Sequence, residues 1–140
     1  MITITKEKLK LFNGEGDITF LVIESNRIDD CIKYLFNHKL KNIMISNYHG
    51  YKLNHFKFIE KISDWIEGVL ILDTDYDYSH LNLISNLKKL NVQDNKSNTI
   101  DLSKFPKLKI CNISFSKRLI GLDLCTTLED LSINNYKFLK

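Results

Sequence analysis

The sequence predicts an α/β fold built from stacked units of about twenty residues, each contributing one short strand. Three observations predict it. Apolar residues recur in the arrangement L-x-x-L-x-L from residue 18 to residue 133. The closing L-x-L of each unit has a period of two, so both of its side chains face one side of an extended strand. Between the first two units, Ile28, Cys31, Ile32, Leu35 and Phe36 fall at i, i+3, i+4, i+7 and i+8, the apolar stripe of an amphipathic helix.

Residues 1–17 stand outside the period; ITIT is expected as an edge strand or a cap over the first unit, and NGEG as a turn. Units then start near 18, 40, 66, 87, 108 and 128. LKKLNVQDN at 87–95 fits L-x-x-L-x-L-x-x-N in full, and ITFLVIESN at 18–26 fits it with Ile in two apolar slots. LKNIMISNY, IEGVLILDT, LKICNISFS and LEDLSINNY keep the three apolar slots without the final Asn, and LKICNISFS puts Cys111 in the second slot. RIDDCIKYLFNHK is expected as a helix capped by Asn26 or Asp29, and LNHFKFIEKISDW as a second, rougher helix. After residue 79 the returns shorten to about a dozen residues and Pro106 interrupts one, so tight turns or 3₁₀ helices are expected there. Leu81, Leu102 and Leu122 lie six residues before the next unit, and Ile84, Phe105 and Cys125 lie three before it. The last strand has an edge that is either open or covered by another chain.

This pattern, over residues 18–136, resembles the leucine-rich repeat family. The resemblance implies a single solenoid domain over residues 1–140. Its parallel sheet of about six short strands would lie on the concave side, with helices or 3₁₀ turns on the convex side. Elementary physics points the same way. A lone strand with one apolar face does not stay folded, whereas stacked units bury each other's faces at about 1.5–3 kcal/mol per Leu or Ile.

Composition narrows the function. The hydrophobic share of 44% and the charged share of 26% are those of a globular protein, and no apolar run reaches the length of a membrane span. The start MITITKEKLKLF lacks the apolar core of a signal peptide, and the three cysteines have no metal or redox spacing. The expectation is a cytoplasmic protein with reduced thiols. Lys outnumbers Arg by 18 to 2 and alanine is absent, which suggests an AT-rich, bacterial-type gene. The net charge of +3 divides into +2 over residues 1–60, −4 over 61–86 and +5 over 87–140. An acidic belt between two basic ends is not the continuous basic footprint of a nucleic-acid binder.

LDTDYDYSH, residues 72–80, concentrates the belt. Asp73, Asp75 and Asp77 take the first, third and fifth places of a calcium loop, but the required Gly is Tyr78 and the required Glu is Ile84. Either the stretch is a solvated acidic loop, or Tyr76 and Tyr78 make it a protein-binding patch. The preceding unit carries NYHGYK at the same place, so Tyr48, His49 and Tyr51 are expected to join it in an acidic, aromatic rim. The histidines show no ligand spacing, and neither a nucleophile motif nor a phosphate loop occurs. No metal, cofactor or catalytic group is therefore expected.

The register also names the side chains facing away from the core. The first three rows are apolar, through Phe20, Val22, Met44, Leu70 and Leu72; the last three carry Lys89, Asn91, Gln93, Ile110, Asn112, Ser114, Asp130, Ser132 and Asn134. An apolar patch open to solvent marks an interaction site, unless residues 1–17 fold back over it. The reading is a non-catalytic binder of another protein, best matched to an immunity-type protein that occludes a basic toxin domain. An adaptor or assembly subunit of a larger complex is the alternative.

Overall fold

The computed structural model describes residues 1–72, 76–93, 99–114 and 119–134. It is a mixed α/β fold with a mostly parallel eight-stranded sheet and little helix. In chain order the strands are β1 (Ile2–Ile4), β2 (Lys10–Asn13), β3 (Thr19–Val22), β4 (Asn42–Ile45), β5 (Gly68–Ile71), β6 (Lys89–Val92), β7 (Ile100–Asp101), β8 (Ile110–Ser114), β9 (Leu119–Ile120) and β10 (Asp130–Asn134). The large sheet has the order β1-β2-β3-β4-β5-β6-β8-β10, while β7 and β9 pair in a separate ribbon. From β3 to β10 all neighbours are parallel, and each comes next along the chain apart from the ribbon.

The middle slot of each apolar triplet lines up with the next. Leu21 stands beside Ile43, then Val69, Leu90, Cys111 and Leu131. All but Leu131, which is partly buried, are fully enclosed. Backbone bonds fix this register at each junction from β4 to β10. Gly68, Lys89, Ile110 and Asp130, each opening its strand, share an acceptor with the residue before: the carbonyl of Lys41, Glu67, Lys88 or Lys109, at 2.8–3.2 Å. A one-residue slip would break this keying and turn every apolar side chain to the other face.

Residues 1–17 join the edge of the sheet, and their Phe12 packs against its apolar outer cluster. They extend the sheet as an antiparallel hairpin, with β1 against β2 and β2 against β3. The hairpin loop is clamped to the first return segment by Arg27, whose guanidinium donates to the carbonyls of Glu7 at 2.8 Å and Lys8 at 3.1 Å. NGEG leads into a short 3₁₀ turn, Glu15–Asp17.

The first return is the expected helix, α1 (Ile28–Asn37), with Cys31 and Leu35 on its buried side. Its start differs from the expectation. Neither Asn26 nor Asp29 caps it; a 3₁₀ turn at Ser25–Arg27 leads in, and Arg27 is the cap residue without a side-chain cap bond. Asp29 and Asp30 instead place negative charge in the first turn, where the helix dipole favours it.

The second expected α-helix is a 3₁₀ helix, Lys57–Lys61. The reason lies in its apolar spacing. Phe56, Ile59 and Ile62 recur every three residues and are all fully buried, which suits three residues per turn. The amides of Ile59 and Ile62 accordingly donate to the carbonyls of Phe56 and Ile59, at 3.0 Å each. The later returns are 3₁₀ helices as expected, at Ser79–Leu83, Leu102–Lys104 and Leu122–Leu124. No helix among the described residues is long and apolar enough to cross a membrane.

Leu90 lies at the centre of the sheet with no exposure, whereas Asn91 projects from the other face. Leu90→Ala is expected to cost about 2–5 kcal/mol in urea unfolding, against about 0.5 kcal/mol or less for Asn91→Ala. Equal losses would mean the register is wrong. All three cysteines are free and buried. Burial pushes the Cys111 thiol up to about 12, and neighbouring Cys125 adds to the rise. Cys111 should therefore resist a thiol reagent at pH 8 until the chain is denatured, and rapid labelling of native protein would place it outside the core.

Candidate functional site

The face of the sheet turned away from the returns divides into two halves. On the first, Phe20, Val22, Met44 and Leu70 form a second, smaller apolar cluster, and all four are buried. Phe12, Ile18 and the half-buried Leu72 pack against it. The expectation of an open apolar patch through Met44, Leu70 and Leu72 is corrected here. Among the side chains packed against the cluster, β2 sets Phe12 beside Phe20 in register, with ring centroids 6.2 Å apart. On the other flank Lys89 reaches back to within 5.9 Å of the Phe20 ring centroid. It passes a position without a side chain, Gly68, where an added Cβ would collide with the amide oxygen of Asn42.

The second half is open and polar. Asn91 stands beside Asn112, which stands beside Ser132. In the next row Ser114 lies on β8, and exposed Gln93 directly follows β6. Asn91, Asn112, Ser114 and Ser132 are half-buried by their neighbours, which holds them in place without closing them off. None of these five side chains makes a hydrogen bond within the described residues. The strip therefore offers amide donors and acceptors and hydroxyls with their bonding capacity unspent. At the end of the apolar half, Ser46 directly follows β4, and Glu24, two residues past the end of β3, is in register with it. Glu24 Oε2 and Ser46 Oγ are buried without a hydrogen-bond partner.

The rim is built differently from the expectation. Tyr48 is 90% exposed, and its ring meets that of His49 edge to face at 5.9 Å. Hydrogen bonds cross the loop that carries them. Lys52 Nζ donates to Asn47 O at 2.8 Å and to Asn47 Oδ1 at 3.1 Å, and Gly50 turns the chain at φ +108, where a side chain would be strained.

Tyr51, Tyr76 and Tyr78 were expected on the same rim. All three are buried instead. The two loops do lie side by side, since His55 bridges to Asp77 and the Asp77 amide donates to Asn54 O at 2.7 Å. That pairing sets Phe56 against Tyr78, stacked at 5.7 Å, while Tyr51 packs on Phe56, Phe58 and Tyr76 at 5.7–5.9 Å. The Tyr51 hydroxyl donates to His55 O at 2.6 Å, so burial leaves it satisfied. The alternation of Asp with Tyr sends the carboxylate out and the rings in. Asp77 is exposed, and hydrogen bonds from Ser79, with nearby His80 and His55, hold its carboxyl below the usual range. Any stability this bond contributes is present above the ordinary carboxylate pKa and is lost as pH falls through the lowered one. Asp73 and Asp75 lie outside the described residues.

Other chemistry is sparse. A groove of about 600 Å³ beside the start of α1 is lined by Arg27, Asp29, Asp30, His55, Lys57 and Lys61, among others. Four of its charges form two pairs, Arg27 with Asp30 at 3.3 Å and Lys61 with Asp29 at 3.5 Å. Among the described residues no group of three or more His, Cys, Asp or Glu stands close enough to hold a metal ion. No protein-family model, curated protein or solved structure matches the chain.

Burial changes what Tyr76 is expected to do. Tyr76→Ala should destabilise the fold by about 3–5 kcal/mol in urea unfolding, as loss of a buried aromatic ring does, whereas Tyr48→Ala should leave stability within about 0.5 kcal/mol. A Tyr76→Ala variant as stable as the parent would return Tyr76 to the surface.

Proposed function

We propose that this protein is a leucine-rich-repeat solenoid that works as a non-catalytic binding module in the cytoplasm, and that its partner is another protein. The observation that carries this reading is the strip of Asn91, Gln93, Asn112, Ser114 and Ser132, five polar side chains on one face that make no hydrogen bond among the described residues. Aligned apolar slots on consecutive parallel strands support the solenoid. Such a scaffold holds a binding face rigid, so the entropy of ordering it is not spent on association. The partner would lay polar backbone or side chains on the strip, with Tyr48 and His49 as an aromatic contact at the margin.

In this reading the output is occupancy: the protein blocks or holds what it binds. The role that best suits a small binder with an acidic belt is immunity, by occlusion of a basic toxin domain. The −4 charge of residues 61–86, with Asp77 exposed at its edge, supports a basic partner. A role as adaptor or assembly subunit is the second reading. It is favoured by β10, which ends the sheet and is paired on one side only among the described residues.

The test begins with capture of the partner on native protein, identification by mass spectrometry, and a check for a toxin gene next to the coding sequence. Binding kinetics then decide. Asn91→Arg combined with Asn112→Arg should weaken binding about tenfold or more while the circular dichroism spectrum stays unchanged. Tyr48→Ala should act on the dissociation rate, and added salt should slow association with a basic partner. If the double variant and Tyr48→Ala both bind like the parent, neither the strip nor the rim is the site.

A further inference from the structure

On the outer face of β6 and β8 the side chains keep one chemistry along the strands as well as across them. Asn91 and Gln93 stand two residues apart, as do Asn112 and Ser114, and Asn91 lies beside Asn112. All four are uncharged and make no hydrogen bond among the described residues. The row before them sets Ile110 between Lys89 and Asp130. Lys89 is half-buried, with its ammonium 5.9 Å from the Phe20 ring centroid, so its charge is directed to the apolar half. Ile110 is 39% exposed, whereas the apolar side chains of the same face on β4 and β5, Met44 and Leu70, are buried. Ile110 is thus an apolar side chain left open at the start of a neutral, polar track.

We propose that this track holds an extended peptide segment of the partner, lying along β8, with an apolar side chain on Ile110 and uncharged side chains beyond it. The proposal rests on the reading of this face as a protein-binding surface and names what that surface takes. Two residues along a strand span about 6.6 Å, and the same interval separates alternate residues of any extended segment. A segment over β8 would therefore set every second side chain down, on Ile110, then Asn112, then Ser114. Its main-chain groups along one edge also recur every second residue, at the interval from Asn91 to Gln93 on the neighbouring strand. A peptide group both donates and accepts, and so does a carboxamide, so Asn91 and Gln93 can each satisfy one in full. A helix would offer these amides no main chain, because its N–H and C=O groups bond within it. A charged side chain over Asn112 or Ser114 would meet no opposite charge on either residue and would lose water for nothing.

A phage-displayed library of random short peptides, panned on the full chain, supplies the probe. The expected result is enrichment of peptides with an apolar residue followed, at the second and fourth places after it, by uncharged residues. Their affinity should fall about tenfold or more for Asn91→Arg combined with Asn112→Arg. It should fall about fivefold for Ile110→Ser, a change at an exposed position that should leave the circular dichroism spectrum as it is. Synthetic copies of an enriched peptide, N-methylated at one residue at a time, should lose affinity at alternate residues, those whose N–H faces Asn91 or Gln93. The proposal is overturned if no peptide is enriched, or if neutral oligosaccharides bind the track in their place. It is also overturned if the enriched peptides carry charge at the second or fourth place, bind either variant like the parent, or respond to N-methylation without alternation. A whole protein that binds the parent but not the double variant, while no peptide binds, would sink this proposal alone and leave the protein-binding reading standing.

Discussion

The structure depends on one line of contacts: Leu21, Ile43, Val69, Leu90, Cys111 and Leu131, one residue per strand, stacked across six parallel strands. Each strand is four or five residues long and could not stay folded alone. Its neighbours hold it, through an apolar contact above and below and through the shared carbonyl that keys its first two amides. This constraint also decides what is free. Once the slots at 90 and 92 must point inward, 89, 91 and 93 must point outward, and nothing in the core dictates their chemistry. The sheet can therefore carry Phe20 and Met44 at one end and Asn112 and Ser132 at the other on the same backbone.

Most of the architecture was legible for the same reason. A period of two sorts side chains between faces, and a stripe at 3.6 marks a helix, so the six parallel strands and α1 can be read from residue spacing alone. The return at 57–61 misled because Phe56, Ile59 and Ile62 repeat every three residues, and in a short apolar segment that spacing passes for an irregular α-helix. The caps misled because Arg27 spends its guanidinium on the N-terminal hairpin, a contact across about twenty residues that local spacing does not signal.

The site was less legible because alternation tells which side chains share a face, not which face is covered. D-Y-D-Y reads as an acidic, aromatic surface when taken alone. Beside HFKF of the preceding unit it becomes a core, since the His55–Asp77 pairing lays Tyr78 on Phe56 and Tyr76 within 5.1 Å of the same ring. Phe56 and Phe58, at the same period of two, were the signal. The apolar rows failed in the same way: Phe12, which packs against their cluster beside Phe20, belongs to a segment outside the period. What stays open are Asn91, Gln93, Asn112, Ser114 and Ser132, whose polarity attracts no attention in a search for sticky patches.

Polarity and closure thus run in opposite directions along the molecule. The N-terminal half has an apolar outer face, and it is closed by the hairpin and Lys89. The C-terminal half has a polar outer face, and there the apolar layer beneath is the one left exposed, at Leu122, Leu124 and Ile133. Two surfaces of unlike chemistry therefore meet at one end, on different sides of the same strands. The same β10 joins the two, because Ser132 belongs to the polar strip while its neighbours Leu131 and Ile133 belong to the apolar layer beneath.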